Sequence, residues 1–181
     1  MKTIVCDTRQ QMRNKSHRAK EAYFKSQGFN TLHSKLPIAD YSLLDNMSVV
    51  VDSKDGLSEC VQNICGSEHD RFREECKLAK DNGIKLYVLV EEDQTDESGH
   101  YVVNSLADVK RWQNPRLKIR VKKDGQWVQK YPKATTGITL MKAMITMQYR
   151  YGITWCFCRK KDAGKKILEL LGVDDGREDI T

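Results

Sequence analysis

The stretch Ala39-Asp40-Tyr41, followed eight residues later by Val49-Val50-Val51-Asp52-Ser53-Lys54, decides how the chain is read. Three consecutive valines are strong strand formers. Side chains alternate along a strand, so Asp52 and Lys54 point one way and Ser53 the other. Asp40 follows Pro37, close to a bend that can return a second acid to the strand end. Two carboxylates and an ammonium at one strand terminus suit metal-assisted phosphodiester hydrolysis. The acids are hard oxygen ligands for a divalent cation. Such a cation activates water and neutralises phosphate, while the lysine orients the water or balances the added negative charge. A lone Asp-x-Lys triplet is common by chance, so the rest of the chain has to support it.

Working outward, 181 residues make one domain with a real core, here residues 1–181, with a segment of about 92–134 set into it and an acidic tail, 174–181, expected to fray. A composition of 39% hydrophobic and 31% charged residues fits a soluble globular protein. No apolar run approaches the length of a membrane span, and the first residues lack a signal-peptide core. The expectation is a cytoplasmic protein, beside the nucleoid or in host cytoplasm if viral, with no membrane partner. The net charge of +6 favours a polyanionic partner. The six cysteines form no CxxC and face no paired histidines, so they read as reduced, mostly buried thiols rather than a zinc site.

Thr3 to Cys6 reads as a buried strand ending at Asp7-Thr8-Arg9-Gln10, and the basic segment to Asn14 as loop. A helix follows, capped by Ser16, with Ala19, Ala22, Tyr23 and Phe24 inward and Gly28 as stop. Phe29 to Leu36 alternates as a strand. Tyr41–Leu44 and Ser48–Asp52 form a hairpin turning at Asp45-Asn46. Leu57–Cys65 and Glu68–Asn82 are helices, and Ile84–Val90 is a strand covered on both faces. Glu91–Glu97 is an acidic surface loop and Ser105–Trp112 a short helix. From Lys110 to Lys133 there are nine Lys/Arg and one acid, Asp124, interleaved with Trp112, Trp127 and Tyr131. The alternation of Leu117, Ile119 and Val121 predicts a strand, with Gly125 at a hairpin turn. Thr136–Tyr151 is the longest helix, with Leu140, Met141, Met144, Ile145 and Tyr149 on one face. Ile153–Cys158 is a strand and Asp162–Leu171 the last helix. Strands separated by helices make an α/β layer protein.

Asp7-Thr8-Arg9, Leu36-Pro37-Ile38-Ala39-Asp40-Tyr41 and Val49-Val50-Val51-Asp52-Ser53-Lys54, in that order, resemble the nuclease domain of the XPF family, part of the PD-(D/E)xK superfamily. Segments 64–72, 86–91 and 151–172 resemble its turn and helix, its apolar strand, and its closing strand and helix. The resemblance spans roughly 3–91 and 135–172. It implies an α/β restriction-endonuclease-like core, a central mixed sheet flanked by helices, here with a basic inserted segment. Gln10 stands where the family commonly has Glu, Ala39 where it has Gly (a mild change), Asp52 where it has Glu, and Ser53 where it has Arg. No helix-hairpin-helix segment follows.

The resemblance implies a Mg²⁺- or Mn²⁺-dependent endodeoxyribonuclease acting on flapped, forked or branched DNA in repair or recombination. Asp40 and Asp52, with the Ser53 backbone carbonyl, are the expected metal ligands. Lys54 positions or activates the attacking water. Asp7 is expected as an outer ligand and Arg9 as a phosphate contact; the competing readings are a strand-end cap and an ion pair between the two. Arg71 reaches for phosphate or lies on a solvated helix face, and Glu75 is an additional candidate. Arg116, Lys118, Arg120, Lys122, Lys123 and Lys130 would track a DNA backbone, with Trp127 stacking on a base. Tyr41 reads as core. The resemblance also implies a homodimer. Two alternatives stay open: a Holliday-junction resolvase or restriction-type nuclease of the same fold, and a catalytically inactive DNA-binding or assembly subunit.

Overall fold

The valine run lies in the middle of a six-stranded mixed sheet, in a computed structural model that describes residues 2–9 and 15–173. The strands are β1 (Thr3–Asp7), β2 (Asn30–Ser34), β3 (Tyr41–Leu43), β4 (Asn46–Lys54), β5 (Lys85–Glu91), β6 (Arg120–Lys123), β7 (Gln126–Gln129) and β8 (Thr154–Cys158). The main sheet runs β2-β1-β3-β4-β5-β8, and β6-β7 form a separate hairpin. The helices are α1 (Lys15–Ser26), α2 (Leu57–Cys65), α3 (His69–Asp81), α4 (Gly137–Tyr151) and α5 (Ala163–Leu170). The pairs β1–β2, β4–β5 and β5–β8 are parallel, while β3 runs antiparallel between β1 and β4. Because β3 runs backwards, its first residues lie beside the last residues of β1 and β4. That arrangement gathers Asp7, Asp40 and Asp52 to Lys54 at one edge: the Asp7 amide donates to the Asp40 carbonyl at 2.8 Å, and the Asp40 amide to the Val51 carbonyl at 3.1 Å.

Alternation along the strands sorts the core into two layers. Val50, Leu86, Val88, Val90 and Trp155 pack with residues of α2, α3 and α4. Ile4, Tyr41, Val51 and Leu89 pack on the other face with Phe24 of α1 and Ile167 and Leu168 of α5. Val50 and Val51 are both buried, so β4 has no solvent face, and an unbroken apolar run is what a sheet covered on both sides requires. Each such side chain contributes roughly 1.5–3 kcal/mol of burial.

Several expectations change. In α1, Ala19 and Ala22 are exposed, while Lys20, Glu21 and Phe24 are buried. The helix turns its larger groups inward, because Lys20 and Glu21 bury their stems while their heads meet Glu91 and His33. Ser16 lies inside the helix rather than capping it. Glu91, expected in a surface loop, ends β5 and is buried. In α4 the buried stripe is Gly137, Leu140, Met144 and Met147; Ile145 and Tyr149 face solvent. The expected strand at 117–121 begins only at Arg120, because Pro115 opens a 3₁₀ turn over Pro115–Lys118 whose Arg116 amide is taken by the Asn114 side chain. Ala39 has φ 60°. That left-handed geometry favours glycine, so alanine there is a strained choice and not a mild one. The expected loop at 11–14 and the frayed tail lie outside the described residues.

The insertion is only partly an appendage. Val103, Val109 and Trp112 are buried in the same core as α4. Free thiols Cys6, Cys60 and Cys76 are buried and Cys65 is exposed; burial pushes the Cys6 thiol up to about 12, which keeps it protonated and inert. Among the described residues no helix is long and apolar enough to cross a membrane.

Gly137 sets how α4 meets the insertion. A Cβ there would lie 2.4 Å from the Val109 carbonyl oxygen and 2.6 Å from that of Trp112. Backbone cannot yield as a flexible side chain does. Gly137→Ala is therefore expected to cost about 1–3 kcal/mol, read as a fall in melting temperature of roughly 2–4 °C per kcal/mol.

Candidate active site

The end of β4 does what alternation requires. Ser53 turns its side chain toward α1, and Asp52 and Lys54 turn theirs toward α2 and α3. The Ser53 amide donates to Asp40 Oδ2 at 2.8 Å, which brings the second acid beside the first. Lys54 Nζ lies 2.7 Å from Asp52 Oδ2 and 3.8 Å from Glu59. Ala39, Asp40, Asp52, Ser53 and Lys54 line one pocket of about 180 Å³ with Arg9, Glu59, Arg71 and Glu75. Room for solvent or an ion therefore remains beside the Asp52–Lys54 pair.

The charges are tuned by neighbours. Burial opposes the charge on Lys54, yet Asp52, Asp40 and Glu59 outweigh it and raise its pKa above the ordinary lysine value. Burial, with Asp52 adding to it, raises the Glu75 carboxyl, against Lys54, Arg71 and Arg9. Asp52 Oδ2 is buried and ion-paired with Lys54 Nζ at 2.7 Å. The ammonium is its partner, and the open pocket beside the pair leaves room for a further ligand.

Asp7 and Arg9 form an ion pair, and Arg9 also lines the pocket. Asp7 Oδ1 accepts from the Arg9 amide at 2.6 Å and from its Nε at 2.9 Å; Oδ2 accepts from Arg9 Nη2 at 2.9 Å and the Leu36 amide at 2.8 Å. These four bonds fill the carboxylate's acceptor sites, and Asp7 does not line the pocket. It holds Arg9, which does line it and reaches Glu75 at 3.7 Å. Arg71, largely exposed, lines the pocket while pairing with Glu68. Tyr41 is core, edge-on to Phe24.

The other expected DNA contacts are not at the strand ends. Arg116 lines a neighbouring groove. Lys118 borders a larger cavity of about 570 Å³ inside the insertion, which shares no residue with the strand-end pocket. Arg120, Lys122, Lys123, Trp127 and Lys130 belong to the hairpin or its base. Two groups were not foreseen. Glu59 lies in the first turn of α2, five residues past Lys54, where a helix start favours an acid. Behind Ser53, its hydroxyl donates to Glu91 Oε1 at 2.5 Å and accepts from Lys20 at 2.8 Å, and Lys20 and Glu91 form a buried ion pair.

Among the described residues no three Asp, Glu, His or Cys side chains form a ready-made metal cage. The carboxylates that line the pocket are Asp40, Asp52, Glu59 and Glu75. Such an all-oxygen set suits Mg²⁺, which keeps several waters and takes one or two carboxylates plus phosphate oxygens.

The central mixed sheet with helices on both faces, carrying its acids and lysine at the strand ends, is a restriction-endonuclease-like fold. The model of the ERCC4 domain matches residues 6–171, and the chain belongs to that family. Among solved structures, the chain is similar to XPF from Aeropyrum pernix, with 18% identity, a TM-score of 0.56, and coverage of 93% of this chain and 63% of that one. It is likewise similar to XPF from Aeropyrum pernix in complex with DNA, with 17% identity, a TM-score of 0.56, and coverage of 95% and 64%. The chain thus spans a little under two thirds of those structures. No curated protein matches the sequence significantly.

The Asp7 clamp has a pH signature. Burial would raise its carboxyl, but the bonds from Arg9 and Leu36 hold it below the ordinary 3.8. A depressed folded pKa stabilises fully above the unfolded value and is lost as pH falls through the folded one. Asp7→Asn is expected to cost about 1–3 kcal/mol near neutral pH. In denaturation curves the gap to the parent should shrink below pH 3.8; a gap independent of pH would remove the carboxylate from the account.

Proposed function

We propose that the protein is a divalent-metal-dependent DNA endonuclease that hydrolyses phosphodiester bonds, with flapped, forked or branched DNA as substrate, working in repair or recombination in the compartment that holds the DNA. The observation that carries it is the convergence of Asp40, Asp52 and Lys54 on one open pocket at the strand ends. Membership of the ERCC4 domain family supports it.

Asp40, Asp52 and the Ser53 carbonyl would hold Mg²⁺ or Mn²⁺, which supplies charge neutralisation at the phosphate and a more acidic water. The chain's own part follows from its charges. Against its burial, Asp52, Asp40 and Glu59 raise the Lys54 pKa and favour the ammonium. It donates hydrogen bonds, orienting the attacking water and balancing the charge that builds on phosphorus oxygens. Arg9, fixed by Asp7, and Arg71 face the same pocket and take the phosphates flanking the cut. Asp7 acts through Arg9. A second copy of the chain is a further partner implied by the resemblance.

The test is a panel of labelled flap, fork, four-way and linear duplex DNA with Mg²⁺, Mn²⁺ or EDTA. Cleavage of the structured substrates with metal, and none with EDTA, is expected. Asp52→Asn and Lys54→Ala should each lose about 100-fold or more in rate. Asp52→Asn should also abolish the thermal upshift produced by Mn²⁺ alone. Absence of metal-dependent cutting on every substrate defeats the enzyme reading, and preference for RNA defeats the substrate. Undiminished cutting by either variant moves the site elsewhere.

A further inference from the structure

The hairpin β6–β7 is a two-stranded sheet whose residues are exposed apart from the half-buried Val121. Its own pairing gains little stability, yet it carries Trp127, 65% exposed. The register sets Lys122 opposite Trp127 and Arg120 opposite Gln129. Alternation then puts Arg120, Lys122 and Trp127 on one face, an indole beside two cations with no carboxylate among them. Between positions 116 and 133 there are seven Lys and Arg against one acid, Asp124, which sits in the turn. None of the seven enters an ion pair among the described residues, whereas Arg9, Arg71, Arg73 and Arg111 all do.

The hairpin is not remote from the pocket. Its base is tied down by the Lys130 amide donating to the Ile119 carbonyl at 2.8 Å and by Gln129 donating to the Leu117 carbonyl. Tyr131 lies there between Arg116, 5.7 Å from its ring centroid, and Lys130, at 5.2 Å. Arg116 in turn lines a groove of about 330 Å³ with Asn114 and, on α2, Ser58, Glu59, Val61 and Gln62. Glu59 also lines the strand-end pocket. Pocket and α2 groove thus share Glu59, and Arg116 joins that groove to Tyr131 at the base of the hairpin.

We propose that this surface is a track for a single unpaired DNA strand leaving the pocket, with a base stacked on Trp127 and its flanking phosphates on Arg120 and Lys122. The proposal rests on the nuclease reading for the strand's origin. Unpaired DNA is the occupant because the cations call for a polyanion while an exposed indole face calls for an unstacked base. A duplex buries its base faces, and an acidic polypeptide offers none.

The experiment uses Trp127 as its own reporter, since Trp112 and Trp155 are 4% and 7% exposed. The full chain carrying Asp52→Asn is titrated, in EDTA, with oligo(dT), with a blunt duplex and with polyglutamate. Oligo(dT) should quench the emission; duplex and polyglutamate should not. Adding Trp127→Ala should abolish the quench and weaken oligo(dT) binding, read by anisotropy of a labelled strand, about 5- to 150-fold. Trp127→Phe should restore most of it, and duplex binding should stay unchanged. Trp127 lies outside the core, so an unaltered melting temperature shows that the variants remain folded. Equal quenching by duplex or polyglutamate, or unchanged affinity in Trp127→Ala, overturns the track. Because no cutting is needed, failure here leaves the nuclease reading intact, and quenching by a chain that never cuts would refute that reading alone.

Discussion

The hydrogen bond from the Ser53 amide to Asp40 Oδ2 is the constraint on which the site depends. The β3–β4 ladder pairs Tyr41 with Val51, and the last backbone bond on that side runs from the Asp40 amide to the Val51 carbonyl. One step earlier the chain turns through Ala39 at φ 60°, so no β3 carbonyl is left for Ser53. A buried amide needs an acceptor, and the Asp40 carboxylate supplies it. The same bond that completes the sheet delivers the second acid to Asp52. Strain at Ala39, of order 1–2 kcal/mol for a left-handed residue with a side chain, is tolerated because the surrounding core fixes it; Ala39 is itself buried there.

Much of this is legible in the sequence because it rests on short-period rules. Alternation in Val49 to Lys54 separates Ser53 from Asp52 and Lys54, and Pro37 marks the bend that returns Asp40. The order of strands and helices follows from apolar runs punctuated by Gly28, Gly66, Gly83 and Gly172. What failed were places where polar residues are buried by long-range pairing. Lys20 and Glu21 look like the solvent side of α1, and Glu91 looks like the start of an acidic loop. Their burial follows from contacts with Glu91 in β5, 71 positions from Lys20, and His33 in β2, 12 positions from Glu21, that the helix pattern does not announce. For Asp7 the ion pair with Arg9 was one of the readings the sequence offered, but the Leu36 amide that completes its shell is 29 positions away.

The insertion divides the same way. Its basic composition was plain, and the Asp124-Gly125 turn marks the hairpin. That Val103, Val109 and Trp112 complete the core beside α4 was not, because short apolar pairs in a polar segment carry no period. The tight fit of Gly137 against two carbonyls explains why α4 shows its Gly137–Leu140–Met144–Met147 stripe to the protein and leaves Ile145 and Tyr149 outside.

The tip of β4 meets a lysine on each face, Lys54 of its own and Lys20 of α1, and comparing them shows where chemistry can occur. On the α1 face, Lys20, Glu91 and Ser53 satisfy one another, with Ser16 adding a bond to Glu91 at 3.3 Å. A closed buried pair of this kind adds little net stability, because desolvation offsets attraction; it locks α1 to the ends of β4 and β5. Where the resemblance expects an arginine at position 53, a serine leaves room for that lysine, so the buried cation arrives from α1 instead of from the strand. On the other face Lys54 pairs with Asp52 among three carboxylates, and the space beside the pair stays open. Two lysines of similar burial thus have opposite capacities. One face is closed by its own contacts, and the other keeps its acids and a lysine of raised pKa in a pocket a phosphate can enter.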